Sequence, residues 1–245
     1  MTEMTINGID LSVYNARLLS FSVSGTTVTN SFSDASDFLK MPMLFSTVPS
    51  TRTLTIMLTF FPRRSGENSR NTSIPDRLSV AAENITRFEG LLVGKVVEIS
   101  LPDGYIYTAV VQSLSPATFD GSGEHDVTYT FAAIRHKTTV EKHVSPNGFV
   151  FCESNTETQC MIKAKFNSFS NTKNKAKLFG TIIHNLSNGS EIVIDGINGI
   201  VTENGNNKFL DTNLIDFPVL QPGKNLVDCN ETDVTISVVY TPIYI

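Results

Sequence analysis

Short β-branched runs, each closed by a turn-forming pair, fill the last quarter of this chain and constrain its fold most. Residues 191–194 read EIVI and stop at an Asp-Gly pair, and residues 200–203 read IVTE and stop at an Asn-Gly pair. The Asn-Gly pair offers the positive φ angles of a tight hairpin turn, and a Pro-Gly pair at 222–223 marks a further turn. The stretch 188–244 is therefore predicted to be a series of short strands joined by turns.

The same spacing extends back through the second half of the chain. Short strands at regular spacing with Asn-rich and Gly-rich turns are typical of a β-sandwich. The predicted strands lie at about 148–151, 160–166, 177–183, 190–194, 199–203, 225–227 and 234–240.

Residue usage divides the chain in two. Its 245 residues, 40% hydrophobic and 18% charged, suffice for one large or two ordinary domains, each with its own core. All the arginines precede residue 138, whereas most of the lysines follow it. This change in surface chemistry predicts two domains, 1–137 and 138–245, joined within a polar run that ends in turn residues.

The first half combines strands with one helix. Leu54, Ile56, Leu58 and Phe60 fall on one face of Arg52–Phe60 and Thr53, Thr55, Met57 and Thr59 on the other, which predicts a long strand with one buried face. An apolar stripe at three- and four-residue steps predicts an amphipathic helix over about 74–93, with Ser73 as a possible cap, Pro75 in the first turn and Gly90 or Gly94 near its end. A Pro-Asp-Gly turn at 102–104 then predicts a hairpin.

The order of these pieces resembles the siphophage distal tail (Dit) proteins. In the second half, the resemblance rests on the strand that ends in an Asp-containing turn, the following hairpin, FPVLQPGKN at 217–225 and VVYTPIYI at 238–245. In the first half, it rests on INGIDLS at 6–12, FEGLLVG at 88–94 and LPDG at 101–104. The expected fold is mainly β: an N-terminal β-rich (α+β) domain with one amphipathic helix, followed by a galectin-like β-sandwich.

The resemblance also implies a function. Proteins of this family are structural components of the phage tail tip, in which the N-terminal domain assembles head to tail into a hexameric ring. We therefore expect a hub that joins the tail tube protein to tail-tip, tail-associated, receptor-binding or baseplate proteins. DNA would pass through the central channel without specific binding. The protein would be made in the host cytoplasm and reside at the virion tail tip.

One strand is the candidate for the subunit contact. A long strand next to a polar loop can extend the sheet of a neighbouring copy. The predicted contact residues lie on the 52–60 strand and at the start of the 63–72 loop: Arg52, Leu54, Ile56, Leu58, Phe60, Arg63 and Arg64.

Composition argues against several other classes of protein. A net charge of −5 argues against nucleic-acid binding, because contacts with phosphates need clustered Lys and Arg. No apolar run approaches the roughly 20 residues that cross a bilayer, so no membrane insertion is expected. The first residues, MTEM, lack the basic and apolar regions of a secretory signal.

Few residues of the sequence suggest catalysis or the binding of a metal or cofactor. The four histidines, His125, His136, His143 and His184, are scattered, so no catalyst is expected. Buried thiols explain Cys152 and Cys160 better than zinc ligation, whose spacing they do not match. The turn-forming role of Asp explains Asp195, Asp211 and Asp216 better than calcium binding does. No phosphate-binding glycine motif is present, and we therefore predict no enzyme activity, metal or cofactor.

Carbohydrate binding is the alternative function. β-Sandwiches often bind sugars, and the second domain could recognise a host cell-surface polysaccharide, although fold alone is a weak argument. Sugar sites usually stack the ligand on an exposed aromatic ring, and the chain contains no Trp. The aromatic candidates are Phe166, Phe169, Phe179, Phe209 and Phe217, for which packing in the core or at an edge is the simpler explanation. A glycoside hydrolase would need two carboxylates flanking a cleft, and no spacing selects such a pair.

Overall fold

Two compact units make up the protein. The computed structural model describes residues 4–25, 28–32, 44–49, 51–62, 74–115, 118–119, 123–169 and 174–245. One unit is formed by Met1–His136 together with Ile245, and the other by Lys137–Tyr244. Each has a hydrophobic core of its own.

Antiparallel strands form most of the first unit. Seven of them build one sheet in the order β2-β1-β7-β8-β10-β6-β3, while β9 pairs with β10 and β4 with β5. The strands are β1 (Thr5–Ile6), β2 (Ile9–Asp10), β3 (Ala16–Val23), β4 (Val28–Phe32), β5 (Leu44–Pro49), β6 (Arg52–Phe60), β7 (Val96–Ser100), β8 (Ile106–Leu114), β9 (Thr118–Phe119) and β10 (His125–His136).

The single helix predicted from the sequence is present. In the described part of the chain, α1 spans Ile74–Leu92, and Gly94 with φ +70° follows its last turn. The predicted cap at Ser73 lies outside the described residues. Phe88 is fully buried on the helix and contacts the rings of Phe60 and Tyr129 edge-on, at centroid distances of 5.5 and 5.3 Å. The apolar stripe therefore packs on the sheet as its period predicts, except that Ala82 is exposed.

The second unit is also antiparallel. Its largest sheet runs β11-β21-β13-β16-β17-β18, with β19 joined to β13, and two further ribbons are formed by β12 with β20 and by β14 with β15. The strands are β11 (Val140–Val144), β12 (Gly148–Cys152), β13 (Thr158–Phe166), β14 (Ala176–Leu178), β15 (Thr181–Ile183), β16 (Glu191–Asp195), β17 (Ile200–Glu203), β18 (Asn206–Asn207), β19 (Val219–Leu220), β20 (Gly223–Val227), β21 (Val234–Tyr240) and β22 (Ile243–Tyr244).

One core joins the layers of this unit. Ile162 and Val238 from the large sheet belong to the same buried cluster as Val150 and Val227 from the β12–β20 ribbon and Leu178 from the β14–β15 ribbon. The ribbons therefore cover the inner face of the large sheet. The predicted fold class, mainly β with one helix, is confirmed. No helix in the described residues is long and apolar enough to cross a membrane.

Candidate assembly surfaces

The strand predicted to form the subunit contact lies inside the first unit. β6 pairs with β10 on one side and with β3 on the other, so neighbouring strands already occupy both of its edges. Its alternating apolar residues, Leu54, Ile56, Leu58 and Phe60, are completely buried in the unit's own core. These four side chains therefore stabilise the monomer and do not form an exposed surface, and β6 cannot add to a neighbour's sheet without losing a partner.

The three arginines of the predicted contact, Arg52, Arg63 and Arg64, do not belong to this buried face. Arg52 is half-buried, and its Nη1 donates a hydrogen bond to the Ser24 carbonyl at 3.1 Å. Burial, followed by the nearby charge of Arg135, lowers the pKa of Arg52 from its usual value. Arg63 and Arg64 lie outside the described residues. A role of this set in subunit contact stays a prediction.

Three cross-strand rows on the other face of the sheet carry uncharged side chains. Met57 lies between Thr128 and Ser20 on the neighbouring strands, and Thr55 occupies the same place between Thr130 and Ser22. A third row crosses β7, β8, β10 and β6 through Val96, Val110, Ala132 and Thr53. These rows hold no charged side chain, and their members are exposed or half-buried.

The ends of this sheet are available for pairing. Among the described strands, β3 pairs only with β6, and at the opposite end β2 pairs only with β1. An open edge presents unpaired N–H and C=O groups, which form a template for another strand. Leu19, on β3 at a break in register with β6, is 42% exposed. The first unit therefore offers two different edges, one at each end of the sheet.

The titratable residues do not form a reactive centre within the described part of the chain. No group of three His, Cys, Asp or Glu side chains is placed to hold a metal ion there. Cys152 and Cys160 are buried free thiols, as expected from the sequence, and Cys229 is one too. Burial, with Cys152 nearby, raises the pKa of Cys160 to about 12, so its thiol stays protonated at neutral pH.

Asp195 confirms the turn-forming interpretation. Its Oδ1 accepts hydrogen bonds from the backbone N–H groups of Ile197 at 2.9 Å and Asn198 at 3.0 Å, and its Oδ2 accepts one from the Asn198 amide at 2.7 Å. Burial alone would raise the pKa of Asp195, but these hydrogen bonds outweigh it and leave the pKa below its ordinary value. The carboxylate fixes the turn between β16 and β17.

A charged network holds the segment after β18, which we call the 208–217 loop. Lys208 Nζ contacts Glu203 Oε2 at 2.9 Å and Asp211 Oδ2 at 3.0 Å, and it donates to the Asn185 carbonyl at 2.8 Å. Hydrogen bonds from Lys208 and Asn185 lower the pKa of Asp211. Burial favours a higher pKa for Glu203, yet the hydrogen bond from Lys208 and others lower it overall. Both carboxylates are therefore ionised at neutral pH.

The β12–β20 ribbon exposes aromatic side chains that the sequence did not single out. Phe149 and Phe151 are 57% and 64% exposed, whereas Val150 between them and Cys152 after them face the core. Phe149 lies opposite Leu226, and the Lys224 ammonium lies 4.7 Å from the centre of the Phe149 ring. Because both faces of this short strand are apolar, the sequence could not show which of them points outward.

The aromatic residues that the sequence did single out pack more closely. Phe166 is fully buried and stacks on Phe169 at a centroid distance of 5.4 Å. Phe209, which is 40% exposed, stacks on Phe217 at 6.2 Å. Phe179 is half-buried against the core. Phe166, Phe169, Phe179 and Phe217 therefore pack in or against the core, whereas Phe209 does not belong to it.

Comparison with known proteins agrees with this architecture. Residues 152–244 match the family of siphovirus-type tail components, over its C-terminal domain. The crystal structure of Dit (gp 19.1) from phage SPP1, described as a paradigm of the hub adsorption apparatus in phages that infect Gram-positive bacteria, is similar over 99% of both chains, with 15% identity and a TM-score of 0.72. At this identity the likeness shows a shared fold.

Two structures of the phage P2 baseplate are less similar to this chain. The activated baseplate of phage P2 with Ca has 11% identity and a TM-score of 0.45, over 99% of this chain and 98% of that chain. The form with Sr has 9% identity and a TM-score of 0.39, over 97% of both. No curated protein matches. Residues 152–244 are therefore similar to the family of siphovirus-type tail components, and over its whole length the chain has the fold of SPP1 Dit.

Proposed function

We propose that this protein is the structural hub of a siphophage or prophage tail tip, built as a hexameric ring from its first unit. The match of residues 152–244 to a family of tail components, and the fold shared with SPP1 Dit, support a structural and not an enzymatic role. The observation that carries the ring is the first unit's sheet, which has a complete core but two open and different edges.

Two different edges favour head-to-tail assembly. When one surface of a subunit binds a different surface of the next, the contact is heterologous, and it closes into a ring if the rotation permits. Here β3 of one copy would face the β2 end of the next, and the core face of β6 would stay within its own unit. This arrangement moves the proposed subunit contact from β6 to the strand beside it.

The ring would enclose the path of the DNA. A protein that neutralises phosphates holds the nucleic acid, whereas this chain has a net charge of −5. DNA would therefore pass without specific binding. The hub would lie between the tail tube protein and the tip, and the second unit would offer attachment surfaces to tail-associated, baseplate or receptor-binding proteins of the virion.

Light scattering of the full-length protein, followed by negative-stain imaging, tests the ring. We expect six copies of the 26.9 kDa chain and a central hole. Leu19→Lys on the open β3 edge should reduce the mass to that of a monomer, because an edge lysine opposes strand pairing. Val13→Lys, which changes a 47% exposed residue outside the strands of the same unit, should leave the ring intact.

Two results would contradict this assignment. A mass other than six copies, in the presence of the purified tail tube protein, would overturn the hexamer. A Leu19→Lys protein that still elutes as a ring, with an unchanged urea midpoint, would remove the β3 edge from the contact.

Carbohydrate binding by the second unit is a second candidate function. The observation that favours it is the exposed pair Phe149 and Phe151, since sugar rings stack on aromatic faces. Lys224, beside Phe149, adds a hydrogen-bond donor at the same surface. The ligand would be a polysaccharide of the host cell surface.

Calorimetric titration of the full-length protein with fragments of host cell-wall polysaccharide tests this function. We expect saturable binding that falls at least tenfold in a Phe149→Ala, Phe151→Ala variant and is unchanged in Val13→Lys. Absence of saturable heat with the wild-type protein would reject the sugar-binding function and leave the hub proposal intact.

A further inference from the structure

Five Asn-Gly pairs lie at or beside turns of the two units. They are residues 7–8, 147–148, 188–189, 198–199 and 204–205. Asparagine is a thermolabile residue, and in such a pair the glycine nitrogen can attack the asparagine side-chain amide, because glycine has no side chain to hinder the approach. The amide and the nitrogen must both be free to meet. The hydrogen bonds of each pair therefore decide whether it reacts.

Two of the pairs are held at both reacting groups. The Asn147 side chain makes two hydrogen bonds with the backbone of Cys229, at 2.9 and 3.1 Å, and the following glycine N–H donates to the Ser145 carbonyl at 2.8 Å. Asn198 Nδ2 donates to Asp195 Oδ2 at 2.7 Å, and the following glycine N–H donates to the Asp195 carbonyl at 2.9 Å. Neither pair can react without breaking bonds at both groups.

Two further pairs are held through the asparagine side chain. Asn7 Oδ1 accepts a hydrogen bond from the Glu98 N–H at 2.9 Å, and Asn204 Oδ1 accepts one from the Glu191 N–H at 2.9 Å. Each asparagine also donates its own N–H to the carbonyl of the same glutamate. Rotation of either side chain would leave a strand N–H without its partner, which costs free energy. The fold therefore opposes the reaction at both positions.

Asn188 differs from the other four asparagines. Its side chain is exposed and makes no hydrogen bond with the described residues. It lies in a turn in which the Ser190 N–H donates to the Ser187 carbonyl at 3.1 Å, and Gly189 has φ +75°. Its amide is therefore free to rotate toward the Gly189 nitrogen.

One hydrogen bond restrains Gly189, and it is the last bond between β13 and the chain that enters β16. The paired residues of these strands end at Lys165 and Glu191. Beyond them, the Phe166 N–H donates to the Ser190 carbonyl at 3.0 Å, and the Phe166 carbonyl accepts from the Gly189 N–H at 2.7 Å. Bonds at the exposed end of an element open at a smaller free-energy cost than those inside it. Opening this one bond frees the attacking nitrogen.

We propose that Asn188 is a deamidation site and that the fold protects the other four Asn-Gly pairs. The Gly189 nitrogen bonds to Asn188 Cγ, the Cγ–Nδ2 bond breaks, and ammonia leaves with the proton of the Gly189 N–H. Water then opens the resulting succinimide. Attack at Cγ gives aspartate, whereas attack at the main-chain carbonyl carbon gives isoaspartate, in which the main chain runs through Cγ. Water is the only further reactant, and no electrons are exchanged.

Isoaspartate would lengthen the main chain of this turn by one carbon atom. The hydrogen bonds from Ser190 to Ser187 and from Gly189 to Phe166 depend on the length of the turn. The new carboxylate would also follow Ser187, whose N–H donates to Glu203 Oε1 at 2.8 Å, and would add a like charge near that glutamate. The modified second unit should therefore be less stable.

Incubation of the full-length protein in mildly alkaline buffer, followed by peptide mass spectrometry, tests the proposal. We expect Asn188 to convert at least tenfold faster than each of the other four asparagines while the protein is folded. Asn188→Gln should abolish this fast reaction, because glutamine must close a larger ring, whereas Asn198→Gln, the matched control, should leave it unchanged. In concentrated urea the five pairs should react at similar rates, because the hydrogen bonds that distinguish them are lost.

Chromatographic separation of the products extends the test to stability. The isoaspartate form should unfold at a lower urea concentration than Asn188→Asp, which carries the same charge on a main chain of normal length. Faster conversion of another asparagine, equal rates for all five in the folded protein, or no conversion of Asn188 would overturn the assignment. Equal urea midpoints for the isoaspartate form and Asn188→Asp would overturn the effect on the turn.

Discussion

Introducing Ile56→Asp together with Leu58→Asp is expected to unfold the first unit. Both side chains are completely buried in its core. A large-to-small change at such a site costs about 2–5 kcal/mol, and each buried carboxylate adds a desolvation cost. The sum is comparable with the whole stability of a domain, about 5–15 kcal/mol. Circular dichroism during urea titration should therefore show the loss of a cooperative transition.

The matched control adds the same charge to the opposite face of the same strand. Thr53 is exposed and Thr55 is half-buried, so Thr53→Asp plus Thr55→Asp should keep the urea transition. Hydrogen exchange can locate the damage, with loss of protection confined to residues 4–136 in the core variant. A core variant that unfolds at the wild-type urea concentration would show that the buried face of β6 does not stabilise the monomer.

Gly196→Ala is expected to destabilise the second unit. A Cβ at this position would lie 2.8 Å from the Cys160 carbonyl oxygen and 3.1 Å from that of Pro218. Both neighbours are backbone atoms, and the Gly196 N–H also donates to Cys160 O at 2.9 Å. The backbone must therefore move, at a cost of about 1–3 kcal/mol.

Gly90→Ala provides the comparison for this change. A Cβ at Gly90 meets no atom within 4 Å, and alanine in a helix is favoured over glycine by about 0.5–1 kcal/mol. Urea unfolding with hydrogen exchange should show lower stability in the Gly196→Ala second unit and unchanged or higher stability in the Gly90→Ala first unit. Equal stabilities for Gly196→Ala and the wild type would mean that the β16–β17 turn is looser than its contacts indicate.

Much of the local structure followed from patterns in the chain. The strict alternation in 52–60 predicted β6 because a strand with one buried face repeats every two residues. The three- and four-residue steps over 74–93 predicted α1, which ends at Leu92 beside Gly94. The Asp-Gly pair at 195–196 predicted the turn that Asp195 fixes with its carboxylate.

The candidate surfaces were harder to predict. The alternation in β6 predicted that its apolar face is buried. It could not show whether that face packs in this unit's own core or against a second copy of the chain. In β12 both faces are apolar, so the pattern could not show that Phe149 and Phe151 point outward and that Val150 and Cys152 point inward. Leu210 and Ile215 lie in a loop, where no period relates sequence to exposure.

By itself, the sequence determined the strand-rich class, the single helix, the turn positions and the family resemblance, because each depends on neighbours within a few residues or on the order of short motifs. Only the tertiary structure decided which strand lies at the sheet edge, which aromatic rings are exposed and where a cleft forms beside β17. Those features depend on pairing between residues far apart in the chain, as between β3 and β6 or between the 208–217 loop and β15. Long-range pairing, and not local propensity, places the surfaces through which this hub is proposed to assemble.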